Sequence, residues 1–261
     1  MFCLFSTITW ISTLLLLGLA ASSLHAQPIP ASHKQGSVHA FLVLKSAEGK
    51  VIALGDLVEV AHGAQVRSRL VFHFRDGSID DERTVFFQRS VLELVSDHHI
   101  QKGPSFPKPL DLSFDVSSGL VTTRDVEDGK EDVRTEHINL PDDLSNGMIP
   151  LILENIDTKT AETKVSYLTA NPKPRILTLA IRPEGVDTFT VAGLKHHANR
   201  FKIHIELGGV SGAIAPVIGK QPADIRIWVV GDEVPTFLKM EGAFYQGGPL
   251  WKTEPISAVW P

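Results

Sequence analysis

The chain is poor in cysteine, and Cys3, its one cysteine, lies in an apolar N-terminal segment. The remainder therefore predicts no disulfide, no disulfide-linked partner and no thiolate metal site. Charge is also sparse at the start, since no Lys, Arg, Asp or Glu precedes Lys34, and no basic stripe follows it. Because such a stripe is needed to neutralise phosphates, nucleic acid is not an expected partner.

The uncharged N-terminal segment predicts export. Its apolar run over 8–21 is followed by Leu24-His25-Ala26, a small-residue cleavage pattern. We therefore expect a signal peptide over residues 1–26, cleaved after Ala26, and one β-rich domain over 27–261 in the periplasm or outside the cell. A signal usually begins with Lys or Arg, which this one lacks. The alternative is an uncleaved membrane anchor, because the apolar stretch with its flanks approaches the roughly 18 residues that a spanning helix needs.

Apolar residues recur at every second position after Gln27, which predicts a mainly β fold. Along 201–207, for example, Phe201 and Ile203 alternate with Lys202 and His204. Turn residues interrupt this pattern about every eight to twelve positions, as in an antiparallel meander of about a dozen strands. Asp76-Gly77 predicts a tight hairpin that pairs 66–74 with a strand through 84–95, and Asp128-Gly129 predicts another hairpin.

One helix, or two short ones, is predicted within this single antiparallel sheet. Leu144, Met148 and Leu151 have helical spacing over 144–155, after possible capping carboxylates at Asp142 and Asp143. Pro150 lies inside this range, and an interior proline removes a helical hydrogen bond. The range is therefore expected to form either one helix or two short pieces.

Two adjacent histidine pairs, His98-His99 and His196-His197, raise the question of metal binding or base catalysis. Neighbouring side chains on a strand leave opposite faces, so neither pair is expected to chelate one ion. Surface or loop-ordering roles are favoured. A hydrolase or metal enzyme using His98 or His99 with Glu93 or Asp97 remains an alternative, but no catalytic residue, metal ligand or cofactor is assigned.

Two regions hold aromatic or bulky residues in unusual positions. In the loop 101–107, two prolines fix the backbone around Phe106, which is expected to plug an open end of the sheet or, alternatively, to contact a ligand. Over 225–244 both faces of the predicted strands carry bulky groups. Such coverage is expected where a sheet packs against the helix or around a guest molecule.

In the C-terminal range 224–242, Trp228 precedes an acidic turn and a proline within 224–235, and a further strand follows over 237–242. This range resembles the end of certain exported bacterial proteins. These are domains of unknown function related to the lipoprotein-localisation carriers. The resemblance implies a strongly curved antiparallel sheet, an open half-barrel with a helix in its concave side. Family members of known role hold acyl chains there. No lipidated cysteine follows the signal in this chain.

These observations favour a non-enzymatic protein of the cell envelope that binds a lipid or another apolar small molecule in a curved β-sheet. The expected ligand contacts are Phe106, Trp228, Met240 and Phe244. Besides the hydrolase, a second alternative is a structural β module whose exposed edge strand recruits an envelope protein partner.

Overall fold

The computed structural model describes residues 28–127, 130–170, 173–191, 194–207, 221–231 and 234–256. The expected signal peptide over 1–26 and the expected turn at Asp128-Gly129 lie outside these ranges. Within them, no helix is long and apolar enough to cross a membrane.

The described residues form fourteen strands and one helix, and all fourteen strands belong to a single sheet. In chain order these are β1 (Val38–Ser46), β2 (Val51–His62), β3 (Gln65–Phe74), β4 (Ile79–Gln88), β5 (Leu92–Lys102), β6 (Leu110–Asp115), β7 (Leu120–Glu127), β8 (Lys130–His137), α1 (Ile149–Asn155), β9 (Thr163–Ala170), β10 (Pro174–Val191), β11 (Leu194–Glu206), β12 (Ile225–Val230), β13 (Thr236–Gly242) and β14 (Trp251–Pro255).

The sheet consists of two antiparallel meanders joined through the pairing of β1 with β14. The strand order is β8-β7-β6-β5-β4-β3-β2-β1-β14-β13-β12-β11-β10-β9. The last strand of the described residues, β14, therefore lies near the centre of the sheet, and β8 and β9 form its two edges. The mainly β, single-sheet prediction is confirmed.

The sheet is strongly curved but is not closed into a barrel. Strands β6 and β9 touch, although they lie near opposite ends of the strand order. One hydrophobic cluster also joins Phe86 of β4 and Leu112 of β6 to Val165 of β9 and Phe201 of β11. Only a sheet that curls around its own interior can bring these residues together. We call the face that lines this interior the inner face.

The segment before α1 and α1 itself fill the interior. Leu144, Met148, Leu151 and Ile152 are all buried in the same cluster. These are the apolar positions that predicted a helix over 144–155, but the helix begins only at Ile149. Gly147 has a φ of 66°, which right-handed helix does not allow. The predicted start was therefore wrong, and Asp142 and Asp143 are not its caps.

Pro150 lies in the first turn of α1, where its missing N–H has no helical partner to lose. The proline thus marks the beginning of the helix instead of splitting it. The cap residue is Met148, which makes no side-chain capping hydrogen bond. Burial of the apolar side chains of α1 therefore holds this short helix in place.

The hairpin at Asp76-Gly77 is confirmed, since it joins β3 to β4 and Gly77 has a φ of 86°. The range 84–95, predicted as one strand, contains a turn that separates β4 from β5. Strands β2 and β14 were not predicted from the sequence.

Each edge of the sheet is protected in its own way. Every residue of β8 is exposed, and most carry charge or are polar. At the other edge, the Asn146 side chain donates to the carbonyl of Leu168 at 2.8 Å and accepts from its N–H at 2.9 Å. Ser145 and Asp143 bond the backbone of Ser166 on the same strand. The segment before α1 thus occupies the hydrogen-bonding groups that β9 would offer to another chain.

Candidate functional site

A polar belt crosses the inner face between two apolar clusters. Strands β4 and β5 pair with Asp80 opposite Gln101 and Thr84 opposite Asp97. Because side chains alternate along a strand, the residues in phase with these point to the same face. The members of the polar belt are Asp80, Glu82, Thr84, Asp97, His99 and Gln101.

His99 is the centre of the polar belt. Its Nε2 lies 2.9 Å from Oδ1 of Asp80, and its Nδ1 lies 4.0 Å from Oε1 of Glu82. Burial of the imidazole opposes its charge, but the carboxylates of Asp80 and Glu82 outweigh burial and raise the pKa of His99 to about 10. At neutral pH His99 is therefore an imidazolium paired with the Asp80 carboxylate, which also accepts from Gln101 at 2.8 Å.

The other two carboxyl groups of the belt belong to Glu82 and Asp97, and burial raises the pKa of each. Burial, reinforced by the neighbouring Glu82, raises the pKa of Asp97 well above its usual range. Burial also raises the pKa of Glu82. The hydroxyl of Thr84 donates to Oδ1 of Asp97 at 2.8 Å, whereas Oδ2 of Asp97 has no hydrogen-bond partner among the described residues. Burial thus disfavours the charged forms of both carboxyl groups.

The segment before α1 covers the polar belt. A Cβ on Gly147 would lie 1.8 Å from Oγ1 of Thr84 and 3.2 Å from Oδ1 of Asp97. From the far end of the sheet, Tyr167 of β9 also faces this region, and its pKa is raised well above the usual value by burial and by the charges of Glu82 and Asp97. The belt is therefore enclosed by β9 and by the chain leading into α1.

A cavity of about 280 Å³ lies beside the C-terminal end of α1. The apolar residues that line the cavity include Leu153, Ile156, Phe201 and Val229. Its remaining lining residues are His33, Glu154, Asp157, Thr158, Asn199, Val230, Gly231 and Pro235. The cavity therefore combines an apolar wall with several polar groups.

Glu154 fixes the position of α1 at this cavity. Its Oε1 accepts from the backbone N–H of Phe237 at 3.0 Å, and its Oε2 accepts from Nε2 of Gln35 at 2.7 Å. Burial raises the pKa of Glu154 to about 7, and the nearby Glu59 adds to the increase. One carboxyl group thus ties α1 both to β13 and to the segment that precedes β1.

An aromatic cluster occupies the inner face beyond the polar belt. The Phe106 ring, 2% exposed, packs edge-to-face on Phe74 at 5.2 Å between ring centroids. Trp251 lies 5.2 Å from Phe244 and 6.0 Å from Phe106. The backbone N–H of Ser105 donates to the Ser78 hydroxyl and holds the Phe106 loop against β4. Phe106 therefore packs as part of the core.

The four ligand contacts expected from the sequence do not form one site. Phe106 and Phe244 share the aromatic cluster, and Met240 packs against the larger hydrophobic cluster. Trp228 lies on the opposite face of β12 from Ile227 and Val229. There its Nε1 donates to Asp187 at 2.6 Å, and Lys239 lies 3.9 Å above its ring. The ligand-binding role of these four residues stays a prediction.

The polar belt and the role of Glu154 were not predicted from the sequence. His98 and His99 leave opposite faces of β5, as expected, but His99 is not the surface or loop residue that was favoured. The alternation of β4 could have predicted the belt. Asp80, Glu82 and Thr84 lie at every second position and share a face with the buried, apolar Phe86. Among the described residues, no group of three or more His, Cys, Asp or Glu side chains is arranged to hold a metal ion.

Comparison with known proteins adds two structural similarities. No family model matches the chain, and no curated protein matches it. One similar crystal structure is that of a β-barrel-like protein of a domain of unknown function (DUF1849) from Brucella abortus. Its sequence is 9% identical to this chain, and the match covers 90% of this chain and 100% of that one with a TM-score of 0.45. The hypothetical lipoprotein YmcC from Escherichia coli is 9% identical, covering 85% and 86%, with a TM-score of 0.32.

Proposed function

We propose that this chain is a non-enzymatic protein of the cell envelope that binds the apolar part of a lipid or a similar amphiphile in the cavity beside α1. The observation that carries the proposal is the cavity itself, which opens between α1 and the inner face of β11 and β12. The apolar N-terminal run over 8–21 supports the assignment to the envelope, because such a run is typical of exported chains.

The accessible lining of the cavity is more polar than apolar, so it suits an amphiphile that presents a polar group as well as an apolar one. Ligand sites are usually concave and more apolar than this, with a few polar groups that fix orientation. Here Phe201 and Val229 supply apolar wall, and Glu154 and Asn199 supply polar groups. Its volume of about 280 Å³ is slightly below the usual range for ligand pockets. The guest is therefore the end of an acyl chain or a similarly small group, in which each buried methylene contributes about 0.8 kcal/mol.

The two alternatives have less support. A general base must be able to accept a proton at working pH, but the carboxylates around His99 keep its pKa near 10. The belt is also covered by the segment before α1. Recruitment of a partner at an edge strand is opposed by the charges of β8 and by the bonds that Asn146 makes to β9. Both features are typical of edges protected against pairing.

A thermal-shift experiment tests the proposed cavity. Dodecanoate and dodecyl maltoside, below their micellar concentrations, are added to the chain and to two variants. Thr158 lines the cavity, and Thr158→Trp should fill it, whereas Thr160→Trp places the same ring two residues away on an exposed turn. At a free concentration of 100 times its Kd, a ligand of the folded state stabilises it by about 2.7 kcal/mol.

We expect at least one amphiphile to raise the thermal midpoint of the unmodified chain and of Thr160→Trp, but not of Thr158→Trp. If neither amphiphile shifts any midpoint, or if both variants respond equally, the proposed cavity is not the binding site.

A further inference from the structure

The outer face of the sheet carries an apolar band on β1 and β2. Phe41 and Leu54 are 56% and 57% exposed, and Val58 and Val60 are 38% and 40% exposed. Phe41 lies opposite Asp56, which places it between the positions of Leu54 and Val58 on the neighbouring strand. Exposed apolar side chains that lie together in this way mark a surface of interaction.

Arginines border this band directly. Arg67 of β3 pairs with Val60, and Arg69 pairs with Val58. Arg83 of β4 lies opposite Arg69, and Arg75 lines the same shallow depression as Leu54. All four guanidinium side chains are exposed. We call these eight residues the arginine-apolar face: Phe41, Leu54, Val58, Val60, Arg67, Arg69, Arg75 and Arg83.

This face is locally basic in an acidic chain. The whole chain has a formal charge of −5. Two carboxylates lie among these residues: Asp81 accepts from both Arg69 and Arg83, and Asp56 is 2.8 Å from His39. Neither Arg67 nor Arg75 has a carboxylate partner within the described ranges. Two guanidinium groups are thus free to bind anionic groups beside the apolar band.

The geometry excludes several ways in which a protein segment could bind here. Strands β2 and β3 lie between paired neighbours, and β1 pairs with β2 along its length and with β14 over 42–46, so most of their backbone offers no edge to an added strand. The face is also the convex side of the curved sheet, where the depression beside Leu54 and Arg75 is shallow. A partner must therefore meet it broadly, through side chains alone.

We propose that the arginine-apolar face docks on an anionic phospholipid surface. Guanidinium groups bind phosphate oxygens bidentately, and apolar side chains between them enter the boundary between headgroups and acyl chains. Basic residues near an anionic leaflet each strengthen attachment, and salt weakens it. This docking uses the opposite face of the sheet from the cavity beside α1 and does not depend on it.

Co-sedimentation with vesicles tests the proposal. The full chain is mixed with vesicles of phosphatidylcholine alone or with a one-third fraction of phosphatidylglycerol. The variants are Arg67→Gln with Arg75→Gln, and Phe41→Ser with Leu54→Ser. Matched controls are Lys130→Gln with Lys195→Gln, and Val133→Ser with Val186→Ser, because these residues are exposed on other strands. Every protein keeps the same N-terminal segment, so differences between variants report on the face.

We expect binding to the anionic vesicles that falls with added salt. Loss of two arginines should weaken it roughly ten- to thirtyfold, as for two basic side chains near an anionic surface. The two Phe41 and Leu54 substitutions should weaken it also, and the controls should not. The proposal would be overturned if both kinds of vesicle bound the chain equally, or if variants and controls had equal effects. It would also be overturned if the chain captured an acidic protein in a salt-dependent way but did not bind vesicles. Unchanged circular dichroism verifies that each variant is folded.

Discussion

At the scale of single residues, His98 and His99 show how one position along a strand changes the energetic role of a side chain. His99 points inward to Asp80 and keeps 12% of its side-chain surface exposed. His98 points outward, 2.9 Å from Asp111, and is 31% exposed. Removing one partner of a buried ion pair leaves the other charge uncompensated, whereas an exposed pair contributes little. The two neighbours therefore form a natural comparison.

We expect His99→Gln to lower the free energy of unfolding by about 3–5 kcal/mol near neutral pH, because Asp80 loses its buried counter-charge. His98→Gln is the matched control and should cost less than about 1 kcal/mol. Urea unfolding followed by circular dichroism measures both. Equal losses in the two variants would show that the Asp80 pair is not a buried charge pair.

The pH dependence of this loss has a definite sign. The folded pKa of His99, about 10, lies above its ordinary value of 6.5, so the folded state binds the extra proton. The stabilisation is fully present below about pH 6.5 and is lost as the pH rises through about 10. The gap between the unmodified chain and His99→Gln should therefore be largest near pH 6 and shrink towards pH 10.

The sequence predicts that the two histidines diverge, but it cannot tell which one faces the interior. Leu92 and Leu94 are buried, and strict alternation from them would turn His98 inward. A bulge between β4 and β5 shifts the register next to Leu94, so that Asp97 and His99 take the inner positions. One extra residue in the pairing thus decides which imidazole is buried. No local sequence pattern in β5 predicts this bulge.

At the scale of elements, the segment before α1 shows why apolar spacing alone misplaced the helix. Leu144 and Met148 are buried as an amphipathic helix would require, yet Gly147 between them is left-handed. The tight contact of Gly147 with Thr84 explains this, since the segment must pass close over β4. Contacts with a distant strand override local helical spacing here.

Gly147→Ala should be strongly destabilising, by about 2–4 kcal/mol, because the new methyl group meets both a left-handed backbone and the Thr84 side chain. Gly49→Ala is the matched control, since Gly49 has a φ of 87° but nothing within 4 Å of an added Cβ. It should lose only the backbone preference, about 1–2 kcal/mol. Urea unfolding of both variants measures the difference, and equal losses would contradict the close approach to Thr84.

The two strands that the sequence did not predict lack the alternation that identified the others. In β2 apolar side chains occupy both faces, with Ala53 buried and Leu54 exposed one position later. Strand β14 has only five residues and ends at Pro255. Both lie at the centre of the sheet, where pairing on two sides stabilises a strand whose own sequence is weak.

At the scale of the whole molecule, alternation predicts the sheet but not how its ends are arranged. Curvature brings β9 towards β4 and β6, and it depends on contacts between residues that are far apart in the chain. The expectation of a curved half-barrel came from the resemblance of the C-terminal strands, and the curved sheet is confirmed. The sequence could not predict that Asn146 covers the edge of β9, because the side chain of an asparagine in a turn usually bonds the backbone of that same turn.

An open sheet of this size remains separate from its copies only if both edges are protected, and Asn146 protects one of them. Its amide replaces a neighbouring peptide group by exchanging two hydrogen bonds with Leu168. Asn146→Ala should therefore lower the free energy of unfolding by about 1–3 kcal/mol, the usual cost of buried groups left unpaired. It should also promote self-association, since the freed edge of β9 can pair with another chain.

Gln221→Ala is the control for this effect, because Gln221 also donates to a backbone carbonyl, that of Ile205, but on an interior strand. Light scattering at increasing protein concentration should show larger particles for Asn146→Ala and not for Gln221→Ala. If Asn146→Ala stays monomeric while losing stability, the charged strand β8 and the remaining bonds of Ser145 are sufficient to prevent edge pairing. The amide of Asn146 then contributes to stability alone, and protection of the β9 edge belongs to the backbone of the segment around it.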